Sequence, residues 1–136
     1  MCGTMRVLFV CSGNAHRSPL AEALLKKVRP DLQVESAGLH VAIPISEQVR
    51  EYLTKQNAEQ YLKKIPQSIS EKKLGNYDLI VGMEQKHMNA VAGICPECNG
   101  KIIVWNIEDP YFLENEDAEK VYEKIKGKVA ELAKSL

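Results

Sequence analysis

Residues 10–19 read VCSGNAHRSP, and four residues in that short stretch could do chemistry together: Cys11, Gly13, Arg17 and Ser18. The stretch follows an apolar run, RVLFV, and precedes an apolar pattern at helical spacing. A cysteine between a strand and a helix lies close to the unsatisfied N–H groups and the positive dipole end of that helix. Both favour a thiolate over a thiol, which makes Cys11 a candidate nucleophile. Gly13 permits an unusual backbone angle and close approach of a ligand. Successive N–H groups in such a turn form a nest for an anion. Arg17 adds a planar fork of donors suited to two oxygens of a phosphate-like group. Ser18 can cap the helix and donate a hydrogen bond to the sulfur. Ser12, Gly13, Asn14, Ala15, His16, Arg17 and Ser18 are together a candidate phosphate-binding loop with a nucleophile at its base. Attack of the thiolate on phosphorus would form a phosphocysteine, and the nest with Arg17 would stabilise the charge on the equatorial oxygens.

The elements that must position these residues follow from periodicity. Residues 6–10 are short, β-branched and aromatic, as in a central parallel strand buried on both faces. Ser18 and Pro19 open a helix with Leu20, Ala21, Ala23, Leu24 and Val28 as its apolar stripe, and Pro30 ends it. Residues 33–37 read as a second strand closed by Gly38. Ser46 caps a helix with Val49, Tyr52 and Leu53 on one face. Residues 58–66 allow another helical turn or two. Residues 77–83 and 101–105 are the third and fourth strands, separated by a helix with Met88, Val91 and Ala92 on its apolar side. A last helix runs over about residues 117–134, with Ala118, Val121, Tyr122, Ile125, Val129, Leu132 and Ala133 at helical spacing. Strands alternating with helices predict an α/β fold: a four-stranded parallel sheet with helices on both faces, in one domain over residues 1–136. Ligands of such sheets bind beyond the carboxyl ends of the strands, where Cys11 lies.

Composition narrows the partners. Lys plus Arg equals Asp plus Glu at 18 each, so there is no global basic footprint for nucleic acid. No apolar run reaches membrane-spanning length and no secretory leader pattern is present, so a cytoplasmic location is expected. Cys2, Cys11, Cys95 and Cys98 should then be mostly reduced.

Cys11, five intervening residues, Arg17 and Ser18 form the C-x5-R-S signature of cysteine-dependent phosphatases. The surrounding FVCSGNAHRSPLAEALL resembles the low-molecular-weight protein tyrosine phosphatase family, as do SAG (residues 36–38), YDLIVGME (77–84) and DPYF (109–112). The resemblance covers nearly the whole chain. It implies a phosphatase loop after the first strand, a phosphorylated protein or peptide substrate, and inorganic phosphate as product. It implies no metal and no cofactor. By the same resemblance Asp109 is the general acid and later the base, Asn14 holds the loop open, and Tyr111 stands at the mouth of the pocket. Ser12 and His40 are further pocket residues on this reading.

The chain departs from the family pattern at several positions. Many members carry a second cysteine where His16 stands. That cysteine can form a protective disulfide, so Cys11 should be more open to over-oxidation here. His16 itself reads as an outward-pointing loop histidine. Ser12 stands where tyrosine-directed members have a bulky aliphatic residue, and a small hydroxyl there resembles a protein-arginine phosphatase subgroup. Phosphotyrosine is the first reading, phosphoarginine the alternative, and thioredoxin-linked reduction of arsenate a further alternative. LHVAIPIS replaces the family's Gly-aromatic segment after SAG. Cys95 and Cys98 are read first as a turn with two thiols or a structural disulfide, far from Cys11. A redox pair is the second reading, since arsenate reductases of this fold relay electrons through two further cysteines to thioredoxin. Half a zinc site with His87 is the third. His87 and His40 otherwise read as surface or helix-face residues, and Trp105 as core.

Overall fold

The computed structural model describes residues 4–136; Cys2 lies outside them. Four parallel strands, β1 (Arg6–Cys11), β2 (Gln33–Gly38), β3 (Leu79–Gly82) and β4 (Ile102–Val104), form one sheet in the order β2-β1-β3-β4. Four helices connect and follow them: α1 (Arg17–Val28), α2 (Glu47–Lys55), α3 (Gln85–Ile94) and α4 (Asn115–Ser135). β1 is central, and successive side chains on a strand point to opposite faces. Val7, Phe9 and Cys11 therefore join one core cluster, with Leu20 and Leu24 of α1, Val49 and Leu53 of α2, and Ile125 and Val129 of α4. Leu8 and Val10 join the other, with Ile80, Val91, Cys95 and Cys98. Every apolar position of β1 is fully buried, as expected of a central parallel strand.

Local chemistry sets the element ends. Ser46 caps α2 by accepting a hydrogen bond from the Val49 amide, as its sequence position predicts. The stretch over residues 58–66 holds a single tight turn, Glu59–Tyr61, and the chain from there to β3 is made of short turns. Ser18 does not cap α1. The helix begins at Arg17 with His16 in the cap position and no capping side chain, because the Ser18 hydroxyl is committed to Cys11. Beyond β4 the chain stays tied to the sheet: Trp105 and Ile107 donate to the carbonyls of Gly82 and Met83. That anchors the segment leading to Asp109. Trp105 is core, with its ring 5.4 Å from that of Phe9.

The described cysteines divide by face. Cys95 and Cys98 are bonded to each other, so the expectation of mostly reduced thiols fails for this pair. Both are buried under the face of the sheet opposite Cys11, the remaining free cysteine among the described residues. With its two thiols consumed in one bond, the pair offers zinc no thiolate ligands. No helix among the described residues is long and apolar enough to cross a membrane.

The glycine that the loop after β1 requires is not the one expected. Gly13 has no positive φ, and a Cβ there would meet nothing closer than 3.8 Å. Asn14 takes the left-handed conformation instead, at φ 53°, and asparagine tolerates it better than most residues. The steric demand falls on Gly38 at the end of β2. A Cβ there would stand 2.7 Å from Asn14 N, 2.8 Å from Gly13 C and 2.9 Å from Ser12 O. Gly38→Ala is expected to destabilise the fold by about 1–3 kcal/mol, the range for forced overpacking. Urea unfolding measures it, with Gly75→Ala, which has open space around its Cβ, as the control.

Candidate active site

The loop from β1 to α1 is turned so that its acceptors face outward. The carbonyls of Cys11, Ser12 and Ala15 accept hydrogen bonds from the amides of Leu39, His40 and Ser46 in the neighbouring wall. Among the described residues the amides of Gly13, Ala15 and His16 donate to no protein acceptor, while that of Asn14 points at Cys11 Sγ, 3.3 Å away. A loop with occupied carbonyls and free amides is a site for an anion. The helix that follows adds its N-terminal dipole.

The Asn14 side chain holds this shape from behind. Its Nδ2 donates to Ser18 Oγ at 2.8 Å and Ser36 Oγ at 2.9 Å. Its Oδ1 accepts from Lys63 Nζ at 2.7 Å and the Gln67 amide at 2.8 Å. An amide side chain offers two donors and two lone pairs, so all four are used, which fits a residue with no exposed surface. Ser18 Oγ accepts from Asn14 and lies 2.8 Å from Cys11 Sγ. Since that oxygen already accepts from Asn14, its own hydrogen is free to point at the sulfur.

Arg17 is 1% exposed. Its Nη1 donates to the Ile107 carbonyl at 2.7 Å and pairs with Glu84, while Nη2 lies 3.8 Å from Asp109 Oδ2. A buried guanidinium is tolerable only with partners of this kind. Glu84 belongs to the turn after β3 and Ile107 to the segment after β4, so three strand ends converge on one cation. Asp109 is half exposed, and its Oδ1 accepts from the Tyr111 amide at 3.0 Å, which fixes the turn after it.

Cys11, Ser12, Gly13, Ala15, His16, Arg17, His40, Asp109 and Tyr111 line one cleft of about 220 Å³. Every proposed pocket residue is therefore at the same place, and Asn14 and Ser18 lie just behind it. Ala42 and Ile43 complete the wall that LHVAIPIS left open. A second concavity of about 130 Å³, between α2 and α4, has Gln48, Tyr52 and Tyr122 in its lining and no nucleophile. His16 does not point outward: it is half buried, with its ring 5.9 Å from that of Tyr111 in an edge contact. Burial holds its pKa below the ordinary histidine value, against the pull of Asp109, so at neutral pH it brings no positive charge to the sulfur.

His87 is the largest departure from the sequence reading. It is fully buried, its Nδ1 accepts from the Glu84 amide at 2.9 Å, and its Nε2 is 3.0 Å from Ser12 Oγ. An Nδ1 that accepts leaves the proton on Nε2, so the neutral ring donates to Ser12. Burial, then the Arg17 charge, pushes its pKa down to about 4. The ring thus ties α3 to Ser12, the residue next to Cys11. Glu84 and Lys63 were also missed as partners. The family-like YDLIVGME marked the Glu84 position but not its contact, and nothing local marked Lys63.

Comparison with known proteins agrees with this geometry. The family model described as low molecular weight phosphotyrosine protein phosphatase matches residues 6–136. The chain is 34% identical to the Escherichia coli K12 low molecular weight protein-tyrosine-phosphatase Wzb, covering 96% of this chain and 94% of that one. It is 33% identical to Etp of the same organism, over 96% and 93%. Among solved structures, Vibrio vulnificus Wzb in complex with benzylphosphonate superposes with a TM-score of 0.88 at 29% identity, covering 98% of this chain and all of that one.

The buried neutral His87 makes a pH prediction. Its folded pKa lies below the ordinary histidine value of 6.5, so between about 6.5 and 4 the unfolded chain binds more protons than the folded one. The His87 contribution is complete above that window and is lost as pH falls through it. Urea midpoints at pH 7 and pH 4.5 should differ more for the wild type than for His87→Gln, which carries no titrating ring.

Proposed function

The chain belongs to the low molecular weight phosphotyrosine protein phosphatase family, and from that premise we propose that Cys11, Arg17 and Asp109 carry out its hydrolysis of phosphotyrosine in protein substrates. The observation that carries the assignment is Cys11 Sγ beneath an anion-accepting loop, with the Asn14 amide and the Ser18 hydroxyl against it. Both contacts bring a polar hydrogen to the sulfur.

In the first step the Cys11 thiolate attacks phosphorus in line with the ester oxygen. The S–P bond forms as the P–O bond to tyrosine breaks, and protonated Asp109 gives its proton to the departing phenolate. The loop amides and the unoccupied donors of Arg17 hold the three equatorial oxygens, whose charge is spread in a loose transition state. In the second step a water attacks the phosphocysteine, Asp109 takes its proton, and inorganic phosphate leaves with the thiolate restored. Glu84 and Ile107 hold the guanidinium in place during both steps, so that little reorganisation is needed as charge develops.

An aromatic substrate is supported by the wall of the cleft. Ile43 and the exposed Tyr111 ring supply apolar surface beside the loop. The relative from Vibrio vulnificus is described with benzylphosphonate, an aryl group one carbon from phosphorus. Ser12, with one lone pair occupied by His87, is the residue that bears on the choice between phosphotyrosine and phosphoarginine. The family match from residue 6 onward supports one domain over residues 1–136. The free Cys11 thiol supports work in a reducing compartment such as the cytoplasm, where burial would shield the Cys95–Cys98 bond.

Cys11→Ser is expected to abolish turnover of aryl phosphates. Asp109→Asn should slow phosphotyrosine by roughly 10²–10⁴-fold, the usual contribution of general acid catalysis. The same variant should slow nitrophenyl phosphate far less, because nitrophenolate leaves without a proton. Equal losses on both substrates would remove Asp109 from the acid role. A paired assay on phosphotyrosine and phosphoarginine peptides should favour phosphotyrosine, and Ser12→Ile should widen that preference.

A further inference from the structure

Behind the phosphate loop, on the side away from the cleft, lies a cation that the chemistry above does not use. Lys63 belongs to the turn-rich chain between α2 and β3. Its Nζ donates to Asn14 Oδ1 at 2.7 Å, to the Ser36 carbonyl at 2.9 Å and to Ser36 Oγ at 3.3 Å. All three partners are neutral oxygens, and among the described residues no carboxylate pairs with it. The nearby charges are already engaged: Glu22 of α1 pairs with Lys26 at 2.7 Å and accepts from Ser36, and Lys72 pairs with Glu35 at 2.7 Å.

The direction of the hydrogen bonds matters more than their number. Lys63 can only donate, so it fixes Asn14 Oδ1 as an acceptor. Asn14 Nδ2 must then donate to Ser18 Oγ, and the Ser18 hydrogen turns to Cys11 Sγ. Every bond in the chain points from the ammonium toward the sulfur. Such aligned bonds polarise one another, and their effect is greater in a dry environment than in water. The same Lys63 contact helps to hold Asn14 in its left-handed conformation, which aims the Asn14 amide at the sulfur from the other side.

We propose that Lys63 is a positioning residue for phosphoryl transfer: acting through Asn14 and Ser18, its charge stabilises the Cys11 thiolate and strengthens anion binding in the loop. A consequence follows from its surroundings. Burial without a paired carboxylate lowers its pKa to about 8, against the attraction of Glu22 and Cys11 and with the repulsion of Lys72 and Lys26. Lys63 is charged below that pH and loses its charge as pH rises through it, so its support of the thiolate and of the anion fades on the alkaline side.

The proposal rests on the thiolate reading of Cys11, and its test is chosen to need no turnover. Iodoacetamide labelling of Cys11, in a Cys2→Ser background with the label located by mass spectrometry, is followed against pH with and without sulfate, whose charge is constant over the range. Lys63→Met should move the half-maximal labelling pH up by about one unit, the scale of a nearby opposite charge. It should also weaken protection by sulfate roughly tenfold, the equivalent of about 1.4 kcal/mol. Lys63→Arg, which keeps the charge, should restore both. A folded Lys63→Met with a wild-type profile, or a Lys63→Arg as impaired as Lys63→Met, overturns the proposal. Should Lys63→Met fail to fold, the wild type and Lys63→Arg decide it. Sulfate protection should weaken between pH 7 and 9.5 in the wild type and stay level in Lys63→Arg, and the same decline in both would sink the idea. A protein that labels as expected but leaves phosphotyrosine intact would contradict the proposed function and leave the Lys63 result standing.

Discussion

The loop after β1 keeps its shape because one buried side chain, that of Asn14, satisfies all of its hydrogen bonds at once. A chain that leaves its amides unpaired inside a protein is unfavourable unless something else fixes it and an anion or water meets those amides. Here the fixing comes from four directions: Ser18 on α1, Ser36 on β2, and Lys63 and Gln67 on the segment that closes over them. Gly38 lets that segment and the loop approach each other without an intervening side chain. The anion-accepting loop is thus built by the packing of the β2 end against the β1 end, and Cys11 lies at their junction.

The second support is the buried Arg17. A guanidinium with 1% exposure draws its partners from the ends of β3 and β4, which brings the Asp109 segment beside Cys11. His87 works from the opposite face of the sheet, passing a hydrogen bond from α3 to Ser12. The two core clusters therefore meet at the site through polar contacts, while their apolar residues stay on separate faces. The Cys95–Cys98 bond closes the far end of α3 under the face opposite Cys11. That placement puts the pair and Cys11 in separate core clusters.

The strands, the four long helices and the gathering of Cys11, Arg17 and Asp109 at one cleft could be read in the sequence, from local pattern, a short motif and family resemblance. The misses share a physical cause. Gly13 was favoured for the special backbone angle because glycine is the usual choice, but the loop chose Asn14, whose side chain does further work. Ser18 looked like a cap because it precedes an apolar stripe, yet its hydroxyl is claimed by a sulfur seven residues away. His87 carried no local sign of burial. Its partner Ser12 is 75 residues distant, and only the register of β3 beside β1 brings the two together. Lys63 lies 49 residues from Asn14 in chain without regular periodicity, where a lysine reads as solvated surface. Contacts of that span are set by topology, and local composition does not reveal them.

The central claim is that phosphate passes through a covalent bond to Cys11. Rapid acid quenching of the enzyme during turnover of a ³²P-labelled phosphotyrosine peptide, followed by peptide mapping, tests it directly. Label is expected on the peptide that contains Cys11, formed within the first turnover. Steady release of phosphate with no protein-bound label, or label on any other residue, would contradict it.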